Sequence, residues 1–260
     1  ASSLAKVGEE YGSYYINPWL RNDKGELVVD QSNGVYLFDK EHTKKVGKML
    51  PDVTGGLSTS IDYKGFFLSA DLDFQFGGTL ISQTNMYLRG NGTGEESLKY
   101  RDEARGGSPY YITTGGDLKL LDSHQAAAPA DSKYSWIFHD GIILPGVDPD
   151  GAKNTKLINA QQYYERTYWQ GGMDITEDAI YKSDYISFRR ITFGYEVPKK
   201  FVNKTFFNRA RISVFGTNIA YIYKDAPNVT PESFAGTNEF TEYAGLPGVR
   251  SLGFELKFGF

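Results

Sequence analysis

Gly65-Phe66-Phe67-Leu68-Ser69-Ala70-Asp71-Leu72-Asp73-Phe74-Gln75-Phe76 is the stretch that decides the fold. Successive side chains of an extended chain point to opposite faces. Phe66, Leu68, Ala70, Leu72, Phe74 and Phe76 therefore share one face, and Phe67, Ser69, Asp71, Asp73 and Gln75 share the other. One face is wholly apolar and the other carries two carboxylates. Just upstream, Val53, Leu57, Thr59, Ile61 and Tyr63 alternate with Asp52, Thr54, Gly56, Ser58, Ser60 and Asp62. The two runs meet at Tyr63-Lys64-Gly65-Phe66, a tight turn with a glycine free to take positive φ, so a hairpin is predicted. Gly77-Gly78 then leads into a weaker predicted strand over residues 79–89, with Leu80, Met86 and Leu88 on one face.

The last third repeats the pattern. Ile186 and Phe188 are apolar at even positions, whereas Ile191, Phe193 and Tyr195 are apolar at odd ones. The phase slips at Arg189-Arg190, and a β-bulge there keeps both apolar sets on one side of a sheet. Pro198 ends the strand. Ala210, Ile212 and Val214 face away from Arg211, Ser213 and Thr217. Leu252, Phe254, Leu256, Phe258 and Phe260 alternate with Ser251, Gly253, Glu255, Lys257 and Gly259. These runs are about 10 to 12 residues long, more than the five or six usual in soluble sheets, and they suit a tilted crossing of a bilayer core. The fold class that follows is all-β, an antiparallel transmembrane β-barrel segment.

Composition agrees. The 260 residues hold 28 Lys plus Arg against 32 Asp plus Glu, a formal charge of −4 that argues against a nucleic-acid partner. Cysteine is absent, which excludes disulfides, thiolate metal sites and Cys nucleophiles. Aromatics reach 15%, with 19 Tyr and 17 Phe, and Gly numbers 29, a bias toward strand and turn formers. No apolar run has the length of a membrane helix, while a membrane barrel hides its apolar surface in every second residue. The chain opens Ala-Ser-Ser-Leu-Ala-Lys, without an initiator Met or a signal h-region, and reads as a processed chain or a fragment.

Connections between the strands differ in length. Gly77-Gly78 and residues 198–208 are short links, whereas residues 90–183 and 225–248 form long polar loops. The first of these holds Gly106-Gly107-Ser108-Pro109, Gly115-Gly116-Asp117, Ala126-Ala127-Ala128-Pro129 and Pro149-Asp150-Gly151, with a short helix within 157–169. Short turns at one rim and long loops at the other are how outer-membrane barrels are built.

Candidate site residues are few. Asp71 and Asp73, with Ser69 and Gln75 on the same polar face, are placed to touch a passing substrate, but a solvated inner wall with no binding role is the favoured reading. Tyr110, Tyr111, Tyr134, Trp136, Tyr168 and Trp169, with Tyr14, Tyr15, Trp19, Tyr163 and Tyr164, lie outside the clear strands. Their rings suit stacking on sugars, packing a peptide, an interfacial girdle, or pinning the loops together. Asp148-Pro149-Asp150-Gly151 with Asn154 hints at a calcium loop but lacks the closing Glu of an EF-hand, which favours an Asx turn. His42, His124 and His139 have no metal-ligand spacing, and G-x-S-x-G, Walker A and G-x-G-x-x-G motifs are absent. No catalytic residue, metal or cofactor is expected.

Four segments together resemble the SusC/RagA group of TonB-dependent outer-membrane transporters. They are Ser183-Asp184-Tyr185-Ile186-Ser187-Phe188-Arg189-Arg190-Ile191-Thr192-Phe193-Gly194-Tyr195-Glu196-Val197-Pro198, then Arg211-Ile212-Ser213-Val214-Phe215-Gly216-Thr217-Asn218, then residues 47–67 and Asp140-Gly141-Ile142-Ile143-Leu144-Pro145-Gly146-Val147. The resemblance covers most of residues 8–260 and implies a barrel of about 22 strands around a plug, of which this chain is the C-terminal part with about seven to nine strands. It implies TonB-driven import of large nutrients, glycan or peptide, across the cell outer membrane. The implied partners are the TonB complex, through the missing N-terminal part, a SusD-like surface lipoprotein, and outer-membrane lipid. It also implies that Phe254, Leu256, Phe258 and Phe260 carry the membrane-assembly signal. The plug and TonB box are absent from these residues. The competing expectation is a soluble all-β carbohydrate-binding module, in which the apolar strand faces would be buried together.

Overall fold

The structure is a computed structural model that describes residues 2–4, 6–122, 127–169, 175–203, 206–232 and 241–260. The chain divides into two compact units, one of residues 1–46 and 81–180, the other of residues 47–80 and 181–260.

The second unit holds the predicted strands. They are β1 (Val53–Tyr63), β2 (Phe66–Phe76), β3 (Tyr185–Glu196), β4 (Arg209–Lys224) and β5 (Ser251–Gly259). They form one five-stranded antiparallel sheet in chain order, an up-and-down meander. Lengths of 11, 11, 12, 16 and 9 residues fit a membrane crossing. The β1–β2 turn has φ of 50° at Lys64 and 88° at Gly65, the double positive φ of a type I′ hairpin. Five barrel-length strands among the described residues fall short of the seven to nine expected, because much of the middle of the chain folds otherwise.

Register shows what the alternation achieves. Ile61, Leu68, Phe193, Val214 and Phe254 stand opposite one another across all five strands. Their exposures are 63%, 39%, 48%, 55% and 76%, so among the described residues nothing covers this apolar row. A parallel row runs Tyr63, Phe66, Tyr195, Ile212 and Leu256. The reverse face carries the row Ser60, Ser69, Thr192, Phe215 and Gly253. Such an uncovered apolar face is what a strand presents to hydrocarbon. The soluble alternative required these side chains to be buried together, and they are not.

The bulge predicted at Arg189-Arg190 is present. Phe188 pairs with Leu72 and Arg190 with Asp71, so Arg189 is the extra residue against β2. Ile186, Phe188, Ile191 and Phe193 consequently all lie opposite even-numbered residues of β2, on one face. Two glycines make room for aromatic rings on the polar face. Phe67 covers Gly194 and Phe215 covers Gly253, each pair in register.

Residues 79–89 depart from the expected strand. The strand stops at Thr79–Ser82, and α1 (Gln83–Gly90) follows. Ser82 caps it, its Oγ accepting from the Asn85 N–H at 3.1 Å. Asn85, Met86 and Arg89 are its buried positions, a helical spacing that Leu80 and Met86 had mimicked as alternation.

The first unit contains α1 and most of the stretch read as a long loop. Its sheet orders Leu157–Asn159, Phe138–Ile143, Ser108–Ile112 and Leu118–Leu120. The helix expected within 157–169 is α2 (Ala160–Tyr168), closed by a capping box in which Asn159 and Gln162 bond reciprocally. Val29, Val35, Ile142, Leu144, Ile158 and Ala160 form its core, with Tyr36, Tyr100 and Tyr163 packed on it. Among the described residues no helix is long and apolar enough to cross a membrane.

Candidate functional site

In the second unit the polar face of the sheet is built around Arg189. The bulge sends this side chain to that face, where Nε and Nη2 donate to Asp73 Oδ2 at 2.9 and 2.8 Å. Nη2 also reaches Glu232, a residue of the connection after β4. Tyr185 and Tyr221 each donate to Glu232 at 2.9 Å, to Oε1 and Oε2 respectively. Asp73 is therefore clamped by a guanidinium, and its Oδ1 is buried with no partner. Asp71 stands opposite Ser58 and Arg190 in register. The rest of the face is tied in the same manner. Arg211 lies over the Phe67 ring at 4.3 Å and Arg190 over Phe215 at 5.1 Å, while Glu196 accepts from Arg209 and Arg211. A cavity of about 450 Å³ opens beside Glu232, lined among others by Arg189, Tyr221, Lys224, Asn228 and Arg250.

In the first unit the loop aromatics divide by burial. Tyr110, Tyr111 and Tyr168 are buried, so their rings serve packing. Burial pushes the Tyr110 and Tyr168 hydroxyls well above the ordinary phenol range, and Tyr168 donates to Asp178 at 2.5 Å. Tyr134, Trp136 and Phe138 make a short aromatic ladder, with Tyr134 4.9 Å from Trp136 and 5.8 Å from Phe138. Trp136 and Trp169 are exposed, and Trp169 meets Tyr87 edge-on at 5.1 Å. Trp19 and Tyr36, 5.2 Å apart, line a separate cavity of about 340 Å³ with Asp30, Asn33 and Arg166. Of the sequence candidates among these aromatics, Trp136 and Trp169 are exposed, and Tyr134 is half-buried with its ring stacked on Trp136.

The remaining candidates are structural. Asp148 Oδ1 accepts from the Asp150 and Ala152 N–H groups at 3.0 and 2.9 Å, and Gly151 has φ of 87°, an Asx turn. Asn154 is buried and donates to the Leu144 carbonyl at 2.8 Å. His42 pairs with Asp39 and His139 with Glu103, while His124 lies outside the described residues. Among the described residues no group of three or more acidic or His side chains is arranged to hold a metal. Phe254, Leu256, Phe258 and Phe260 are all exposed, and Phe206 and Phe207 stack near the last two, with Phe207 4.6 Å from Phe258. Sequence reasoning missed Glu232, Tyr185 and Tyr221. The phase slip at Arg189 was the one signal near them.

These features define the wall segment of an antiparallel membrane barrel, apolar outside and hydrogen-bonded on the reverse face. No family profile matches the chain. It is 30% identical over 244 residues to TonB-dependent receptor P3 of Formosa agariphila, a match covering 90% of this chain and 19% of that receptor. It is 22% identical over 223 residues to TonB-dependent receptor P39 of the same organism, covering 84% of this chain and 17% of the relative. The chain thus spans about a fifth of the length of the curated relatives it matches. Among solved structures, the RagAB peptide importer in its open-open state aligns with a TM-score of 0.46 and 16% identity, over 96% of this chain and 22% of that one. The closed-closed state gives 0.42 and 13%, over 89% and 22%. Along most of its length the chain is therefore similar to a segment of TonB-dependent receptors.

Proposed function

We propose that this chain supplies part of the barrel wall and the extracellular loops of a transporter that imports large nutrients, glycan or peptide, across the outer membrane. Energy comes from the TonB complex, acting on parts of the protein outside these residues, and a SusD-like surface lipoprotein closes over the loops. The reading rests on one observation: five adjacent strands present unbroken apolar rows that none of the described residues covers, while the reverse face is charged and hydrogen-bonded. Asp71 on that reverse face, and Tyr134, Trp136 and Trp169 in the first unit, are the side chains we assign to substrate contact. The C-terminal apolar row through Phe254, Leu256 and Phe258, with Phe260, serves as the assembly signal. The role is transport, not catalysis.

The test is made on the full-length receptor that carries this segment. It is expected in the outer-membrane fraction, and uptake of its nutrient is expected to stop when TonB is deleted. A receptor recovered in the soluble periplasmic fraction, or uptake indifferent to TonB, refutes the reading.

A further inference from the structure

The donors around Glu232 do more than tie a loop down. Tyr185, Arg189 and Tyr221 come from two neighbouring strands, yet they converge on a carboxylate that neither strand owns. Each is also held independently of it. Arg189 is gripped by Asp73 through two bonds and donates to Asn218 Oδ1 at 3.3 Å, and the Tyr185 and Tyr221 rings meet edge-on at 5.8 Å. A set of donors fixed by strand residues keeps its geometry when the loop residue leaves, which is the meaning of preorganisation.

The adjoining cavity is biased toward anions. Among the described residues, Arg189, Lys224 and Arg250 line it against one acid, Glu232. Lys224 Nζ is engaged with the Val229 carbonyl at 2.9 Å, whereas Arg250 is exposed and makes no ion pair among the described residues. We propose that Tyr185, Arg189 and Tyr221 form a binding site for a carboxylate of the transported molecule, and that Glu232 fills it in cis until such a group displaces it. This rests on the import reading above and narrows its substrate to acid-bearing oligomers. An incoming carboxylate remakes the bonds that Glu232 gives up, so the exchange is nearly balanced. Contacts to Arg250, and further acid groups along the oligomer, tip it. A tethered competitor acts at an effective concentration of the order of millimolar, so a lone carboxylate such as acetate fails where an oligomer succeeds.

The experiment uses the full-length receptor in detergent, titrated calorimetrically with pentagalacturonate, pentaglutamate and the neutral probes maltopentaose and pentaglutamine. Glu232→Gln keeps the side-chain shape and removes the competing charge. It is expected to raise affinity for an acidic probe by at least about tenfold and leave neutral probes unchanged. Whether the uronate, the peptide or both respond identifies the source of the acid group, and any of the three supports the site. Tyr221→Phe removes one donor without touching the loop, and is expected to weaken acidic-probe binding several-fold even where Glu232→Gln fails to assemble. Unchanged acidic affinity in either assembled variant, or an equal gain for neutral probes, overturns the proposal. TonB-dependent uptake by the wild-type receptor is measured alongside: if it persists while the variants show no effect, the acid site fails and the import reading stands.

Discussion

Arg189 and Asp73 are joined by two hydrogen bonds, 2.9 and 2.8 Å, across the one bulge that the β2–β3 pairing contains. The bulge resets the apolar phase of β3 and in doing so turns a guanidinium onto the polar face, where it bridges two acids. Both partners are about 29% exposed, so water screens the pair only partly. Asp73→Ala is expected to lower barrel stability by about 1–3 kcal/mol, the usual worth of hydrogen bonds to a charged group. The measurement is the temperature at which the full-length receptor loses its compact, fast-migrating form on SDS gels. A variant that melts with wild type would show that the pair holds nothing.

Gly194 and Phe67 make a second pairing with a definite sign. A Cβ on Gly194 would lie 2.3 Å from the Phe67 ring and 2.7 Å from the Ile212 carbonyl oxygen. Gly194→Ala therefore overpacks the polar face, at about 1–3 kcal/mol. Phe67→Ala in the same chain removes the ring contact but leaves the backbone one. The double variant is expected to be more stable than the sum of the two single losses predicts, by at least about 0.5 kcal/mol. Simple additivity in the same gel assay is the contrary result.

What the sequence made readable follows a physical divide. The long strands, the hairpin at Lys64-Gly65 and the bulge at Arg189 were legible because a period of two is imposed by backbone geometry and shows in any stretch that has one apolar face. Residues 79–89 misled because Leu80, Met86 and Leu88 satisfy alternation, while the deciding feature, Ser82 capping α1, is a single hydrogen bond. The stretch 90–183 has no strand signature in sequence because its strands are 3 to 6 residues long, too short for periodicity to register. Glu232 was invisible for a different reason. It meets Arg189 and Tyr185 across 43 and 47 residues of chain, and no local pattern encodes a pairing at that separation.

The tyrosines of α2 give a prediction in alkali. Burial pushes the Tyr164 phenol up to about 12, and raises Tyr163 and Tyr168 further. A raised value means that the folded state favours the neutral form. The stabilisation is complete below the ordinary phenol value near 10 and is lost as pH climbs toward the folded value. Absorbance at 295 nm is expected to show a late class of tyrosines that ionises only above about pH 12 and together with loss of structure. Tyr164→Phe shrinks that class. It also gives up bonds to the Glu96 and Lys99 carbonyls, costing about 0.5–1.5 kcal/mol at neutral pH. A single early titration of every tyrosine would contradict the packing described for α2.

Leu57 and Ser58 are neighbours near the middle of β1, and they face opposite ways. Leu57 stands opposite Leu72 on the apolar side, and Ser58 stands opposite Asp71 on the polar side. Lysine at the centre of a lipid-facing strand costs about 2–4 kcal/mol, whereas the same residue on the inner face costs little. Leu57→Lys is therefore expected to cut the amount of receptor assembled in the outer membrane sharply. Ser58→Lys, which gains an acid across the strand, is expected to assemble at the wild-type level. Quantitative blotting of outer-membrane fractions reads both. The contrast isolates side-chain direction from helix, turn and loop effects, because the two positions share one strand, one depth and one substitution. Equal assembly of the two variants, or the reverse order, would mean that the apolar rows of this sheet do not meet lipid.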